Sequence, residues 1–99
     1  MKLNTMRPCV LVFSGLDPSG GAGIQADIEA IAAQGAHALP IVTALTVQDN
    51  ERVIDVVPVD AGLLVRQASV LLDSMPIRAV KLGIPGSLAN AEAVAGIVL

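Results

Sequence analysis

A nine-residue turn constrains this chain more than any other feature. It reads Gly15-Leu16-Asp17-Pro18-Ser19-Gly20-Gly21-Ala22-Gly23, between an apolar run, Cys9 to Ser14, and a helical pattern that opens Ile24-Gln25-Ala26-Asp27. Four glycines and a proline in nine residues bury almost no apolar surface. What they supply is backbone: positive φ where a turn needs it, close approach of a ligand, and N–H groups free to point at one. The segment predicts a strand, a turn and a helix arranged around a small polar ligand at the helix N-terminus.

The remainder alternates in the same way. Cys9 to Ser14 is apolar throughout, as expected of a strand buried on both faces. The following helix is predicted over Gly23 to Gln34, with Ile24, Ile28 and Ile31 on one face and Gly35 stopping it. His37 falls in a short connection and carries no assigned role. Pro40 to Val47 predicts a second buried strand, which turns abruptly polar at Gln48-Asp49-Asn50. Ligands of open parallel sheets bind at the carboxyl ends of strands, so this switch offers a second wall for the same site. Val53 to Val57 predicts a short strand, and Asp60 the N-cap of a helix that turns Leu64, Ala68, Leu71 and Leu72 inward and ends near Ser74. Ile77 to Leu82 predicts another strand. Ser87 caps a last helix through Ala89, Ala93 and Ile97, which stays apolar to Leu99 without a stop signal and predicts a chain cut short.

Composition narrows the function. A length of 99 residues allows one small domain, and 54% hydrophobic residues with a single aromatic, Phe13, require a core of aliphatic side chains packed between close elements. The net charge is -3 and the six basic residues are scattered, which argues against nucleic acid as partner. One cysteine and one histidine leave no disulfide framework and no metal-ligand set, and predict a reducing, cytoplasmic setting. No uninterrupted apolar stretch is long enough to span a membrane. A small molecule remains as the partner.

Several motifs compete for the turn. Gly21-x-Gly23-x-x-Ala26, with Asp49 further on, has the spacing of a dinucleotide fingerprint, but Gly15 to Gly20 intervene where its first glycine should follow the strand directly. The turn holds no lysine, which excludes a P-loop. At about 100° per residue Asp27 lies beside Ile24 and Ile31 on the inward stripe. There it either complements the helix macrodipole or accepts hydrogen bonds from a ligand at the pocket edge. Gln48 is either an ordinary loop residue or an amide able to donate to and accept from a heterocycle. Lys81, inside the apolar run Ala79 to Gly83, either snorkels from an edge strand or reaches an anion.

Gly15-x-Asp17-Pro18-Ser19-Gly20-Gly21-Ala22-Gly23-Ile24-Gln25-Ala26-Asp27, with Thr43-Ala44-Leu45-Thr46-Val47-Gln48 and Val80-Lys81-Leu82-Gly83, resembles the hydroxymethylpyrimidine and phosphomethylpyrimidine kinases of thiamine biosynthesis. The resemblance implies a ribokinase-like three-layer α/β/α sandwich with a mostly parallel sheet. Residues 1–99 would form its N-terminal, substrate-binding portion, without the half that carries the anion hole, the catalytic base and most ATP contacts. It implies ATP and Mg2+ as cofactors, an aminopyrimidine as substrate, and a homodimer when full length. By matching position, Gly15 and Ala22 would line the pyrimidine pocket, Asp27 and Gln48 would hydrogen-bond the ring nitrogens or the hydroxymethyl group, and Thr46 would give backbone contacts. Lys81 and Gly83 match a Lys-x-Gly strand end, with Lys81 near phosphate. Ile84 stands where the family commonly has a methionine over the ring, and Leu16 where it commonly has a small polar residue. No catalytic residue and no metal ligand is carried over. A pyridoxal kinase of the same superfamily, or a non-catalytic pyrimidine-binding module, are the alternative readings.

Overall fold

The computed structural model describes residues 7–99. Among them the elements run β1 (Cys9–Leu16), α1 (Gly23–Ala33), β2 (His37–Gln48), β3 (Val53–Pro58), α2 (Ala61–Ser74), β4 (Ile77–Leu82) and α3 (Leu88–Val98). The sheet order is β3-β2-β1-β4, with β1 parallel to both β2 and β4 and β3 antiparallel to β2 at one edge. β1 is the central strand because it is the run that can be buried on both faces. Leu11 and Phe13 point to one side and meet Leu39, Ile41, Leu64, Ala68 and Val94 in the core beneath α2 and α3. Val12 and Ser14, buried on the alternate face, lie on the side that α1 covers. The result is three layers, helix, sheet and helix pair.

Local signals act as expected in several places. Gly35 takes φ +81° just past α1, the Asp60 side chain accepts from Leu63 N at 3.1 Å, and the Ser87 hydroxyl accepts from Asn90 N at 3.1 Å.

Three expectations are corrected. His37 is not in a connection but opens β2, because the parallel ladder with β1 begins there: His37 pairs Cys9, and its N–H donates to Pro8 O at 2.8 Å. β2 is buried only as far as Ala44; Leu45 and Val47 are half-exposed, since from there on the strand is paired with β3, itself exposed along its whole length. Leu72 is exposed at the rim of the α2 stripe, while Leu64, Ala68 and Leu71 face the core. α3 runs through Ala89, Ala93 and Ile97 as expected, and the residues it buries are Asn90 and Val94, with Ile97 packed against the same core. Asn90 can be buried because its amide reaches the carbonyls of Thr43 in β2 and of Val59 ahead of α2.

Candidate ligand site at the strand ends

The turn after β1 is held by its own side chains. The Asp17 carboxylate accepts from Ser19 N at 2.8 Å and from Ser19 Oγ at 2.7 Å, and Gly20 N donates to Asp17 O at 3.0 Å. The Ser19 hydroxyl first, and then the N–H groups of Ser19, Ala22 and Gly21, hold the Asp17 carboxyl below its usual range. The turn then folds back on β1, with Gly23 bridging Leu16. Gly23 has φ +65°, and a Cβ there would stand 2.3 Å from Gly15 O, so no other residue fits. α1 starts at Gly23 with no side-chain cap, which leaves the first-turn N–H groups open beside Ala22 and Gly23, two residues that line the cavity described next.

That cavity, of about 280 Å3, lies at the carboxyl ends of β1, β2 and β4 and is lined by Ser14, Gly15, Asp17, Ala22, Gly23, Asp27, Thr46, Gln48, Lys81, Gly83 and Ile84. The structure thus brings Gly15, Ala22, Asp27, Thr46, Gln48, Lys81 and Ile84 to one place. Asp27, one turn into α1, is paired through Oδ1 with the Lys81 ammonium from β4, and its Oδ2 is buried with no hydrogen-bond partner. The pair is asymmetric: the Lys81 side chain is 52% exposed and that of Asp27 8%. Gln48 Nε2 donates to Thr46 Oγ1 at 2.6 Å, and that hydroxyl donates to Leu16 O at 2.8 Å, which ties the end of β2 to the turn. Ile84 leans over Gly15, its Cδ1 3.0 Å from the point where a Cβ on that glycine would be.

Sequence reasoning missed the Lys81–Asp27 pairing, since nothing in a separation of 54 residues announces it. It also left out Ser14 and Asp17 as lining residues. Asp49 turns away from any nucleotide role: its carboxylate accepts from Glu51 N at 2.9 Å and Arg52 N at 3.0 Å and closes the β2–β3 turn, and these two bonds lower its pKa. A second hollow, of about 320 Å3, lies between Phe13, the end of β4 and α3, and is lined mainly by apolar side chains. It offers no charged group to orient a polar ligand. Among the described residues no three His, Cys, Asp or Glu side chains gather as a metal's donor set. No helix of the described residues is long and apolar enough to cross a membrane.

The chemistry available is recognition. One uncommitted carboxylate oxygen, one amide and one half-exposed ammonium surround a cleft small enough for a single substituted ring. Such a site, at the strand ends of an open sheet covered on both faces, defines part of a ribokinase-like α/β/α domain. The chain belongs to the phosphomethylpyrimidine kinase family, whose sequence pattern matches residues 17–98. It is 35% identical over 82 residues to the hydroxymethylpyrimidine/phosphomethylpyrimidine kinase of Aquifex aeolicus, covering 83% of this chain and 31% of that one. The crystal structure of phosphomethylpyrimidine kinase from Clostridium difficile superposes with a TM-score of 0.87 at 30% identity, over 93% of this chain and 40% of that one. An ADP complex of Bacillus subtilis pyridoxal kinase superposes with a TM-score of 0.84 at 25% identity, over 93% and 36%. The chain therefore spans well under half the length of each of these relatives.

Proposed function

We propose that residues 1–99 are the substrate-binding portion of a single kinase domain that phosphorylates 4-amino-5-hydroxymethyl-2-methylpyrimidine, and then its monophosphate, in thiamine biosynthesis. One observation carries this reading: seven residues chosen from the sequence converge on one cavity of about 280 Å3. In this reading Gly15 and Ala22 leave room for the ring and Ile84 covers it. Asp27 Oδ2 accepts a hydrogen bond from the amino or hydroxymethyl group, and Gln48, braced by Thr46, pairs with the ring edge. Lys81 neutralises Asp27 and stands at the mouth, where its exposed ammonium attracts the phosphate of the second substrate.

In this reading ATP supplies the phosphoryl group, with Mg2+ to neutralise its charge, and both are held by parts of the complete polypeptide other than residues 1–99. A relative that binds ADP supports a nucleotide as co-substrate. Phosphoryl transfer depends on positioning and on groups that stabilise charge at the transferring phosphate. Residues 1–99 hold the acceptor without such groups, so in isolation they are expected to bind without turnover, while the full-length polypeptide acts as a cytoplasmic homodimer. The test is 31P NMR of ATP, Mg2+ and the pyrimidine with each form. Product from the complete polypeptide alone supports the reading; product from mass-verified residues 1–99 overturns the division of labour.

A second reading, pyridoxal kinase, is favoured by the close superposition with the Bacillus subtilis enzyme, and a pyridoxine activity can coexist with the first. Competition between pyridoxal and the pyrimidine on the complete polypeptide separates the two.

A further inference from the structure

The residues that follow β4 are fastened to the sheet by groups lying outside the cavity. Gly83 N donates to Phe13 O at 2.6 Å, and Ile84 O accepts from Thr43 Oγ1 at 2.6 Å. Gly86, at φ +87°, approaches β2 so closely that a Cβ would stand 2.9 Å from Ala44 Cβ and 3.1 Å from Thr43 O. Thr43 occupies a place on the inward stripe of β2 that Leu39 and Ile41 fill with aliphatic side chains, and it is fully buried. A hydroxyl at such a position costs stability unless it is paired, and here its partner is the Ile84 carbonyl.

Behind it stands Asn90, 1% exposed, whose Nδ2 donates to Thr43 O at 3.1 Å and to Val59 O at 2.9 Å. Thr43 O accepts in addition from Val59 N at 2.8 Å, and Asn90 N donates to Ser87 Oγ. Both amide protons of Asn90 are therefore used, and β2, the lead into α2 and the start of α3 are locked together. A buried polar network with its donors paired is stiff. What it holds in place is the backbone of Ile84, whose half-exposed side chain lies over Gly15.

We propose that Thr43 is a positioning residue: its hydroxyl, backed by Asn90, fixes Ile84 over Gly15 and so sets the width of the cavity and the size of heteroaromatic ring it accepts. The ring-selection part rests on the reading of the cavity as the pyrimidine site. Neither Thr43 nor Asn90 touches the ligand space, so both act through Ile84.

The experiment uses Thr43→Val, which keeps the shape and removes the donor, Thr43→Ser, which keeps the donor, and Ile84→Ala, all in the complete polypeptide that contains residues 1–99. Two readouts are taken. In protein labelled at isoleucine δ1 methyls, a cross-peak from Ile84 to the Gly15 α-protons is expected in the wild type and Thr43→Ser, and is expected to vanish in Thr43→Val. In kinetics, Thr43→Val is expected to raise KM for the pyrimidine about tenfold, as for a fall of the properly placed Ile84 to about a tenth of the population, and to lower its preference over pyridoxal, with kcat within about twofold. Thr43→Ser restores both, and Ile84→Ala reproduces the loss of preference. A cross-peak retained in Thr43→Val overturns the proposal, as does a lost cross-peak with KM and preference unchanged. Should Thr43→Val not fold, an unchanged ring preference in Ile84→Ala overturns it equally. If no form, wild type included, takes the pyrimidine, the reading of the ligand has failed, and the methyl cross-peak alone decides the role of Thr43.

Discussion

Breaking the Lys81–Asp27 pair from either side should give unequal losses. Asp27 is the sheltered member, with one oxygen on Lys81 and the other buried without a partner. Lys81→Met leaves both oxygens uncompensated, a situation that costs about 3 to 5 kcal/mol for a fully buried pair. The cavity admits some water, so we expect about 2 to 3 kcal/mol. Asp27→Asn leaves an ammonium whose side chain is already 52% exposed and can turn to solvent. That loss should not exceed about 1 kcal/mol. The double variant should lie close to Asp27→Asn, giving a coupling of about 2 kcal/mol. Urea denaturation of the complete polypeptide, followed by far-ultraviolet circular dichroism, measures all four forms. Equal losses, or a larger loss for Asp27→Asn, would refute the assignment of the carboxylate as the sheltered partner.

Two further outcomes follow from the turn. Asp17 has a folded pKa below its ordinary 3.8, chiefly through the Ser19 hydroxyl, so its contribution is complete above that value and is lost as pH falls below it. Asp17→Asn should flatten the acid limb of stability against pH, measured by thermal melts below pH 5; an unchanged limb contradicts this. Gly23→Ala forces a Cβ to within 2.3 Å of Gly15 O at φ +65° and should cost about 2 kcal/mol or more, with loss of the Leu16–Gly23 bridge in amide exchange.

The fold was legible where local chemistry decides it. The apolar run Cys9 to Ser14, the caps Asp60 and Ser87 and the stop at Gly35 all stand in the structure as their residue types demand. The limits of β2 were not, because a strand begins where its neighbour's ladder begins, and that neighbour is β1. The burial of Asn90 in α3 was hidden as well, since its partners are carbonyls 47 and 31 residues away. The cavity residues were legible as types, glycine for approach and carboxylate, amide and ammonium for polar groups. Their pairing was not, since Lys81 reaches Asp27 only once β4 lies beside β1. Thr43 stands in a motif without a role of its own, because a β-branched residue in a strand looks ordinary until its hydroxyl is seen on Ile84 O.

In the proposed function the cavity between α1, β2 and β4 holds an aminopyrimidine through Asp27. Calorimetry of 4-amino-5-hydroxymethyl-2-methylpyrimidine against the complete polypeptide and its Asp27→Ala variant tests it most directly. Saturable one-site binding is expected for the wild type and a loss of about 1.5 to 3 kcal/mol in the variant, as for a hydrogen bond to a charged group, with the variant's fold unchanged by circular dichroism. Equal affinity in the two forms would contradict it, and would return Asp27 to the role of Lys81's structural partner.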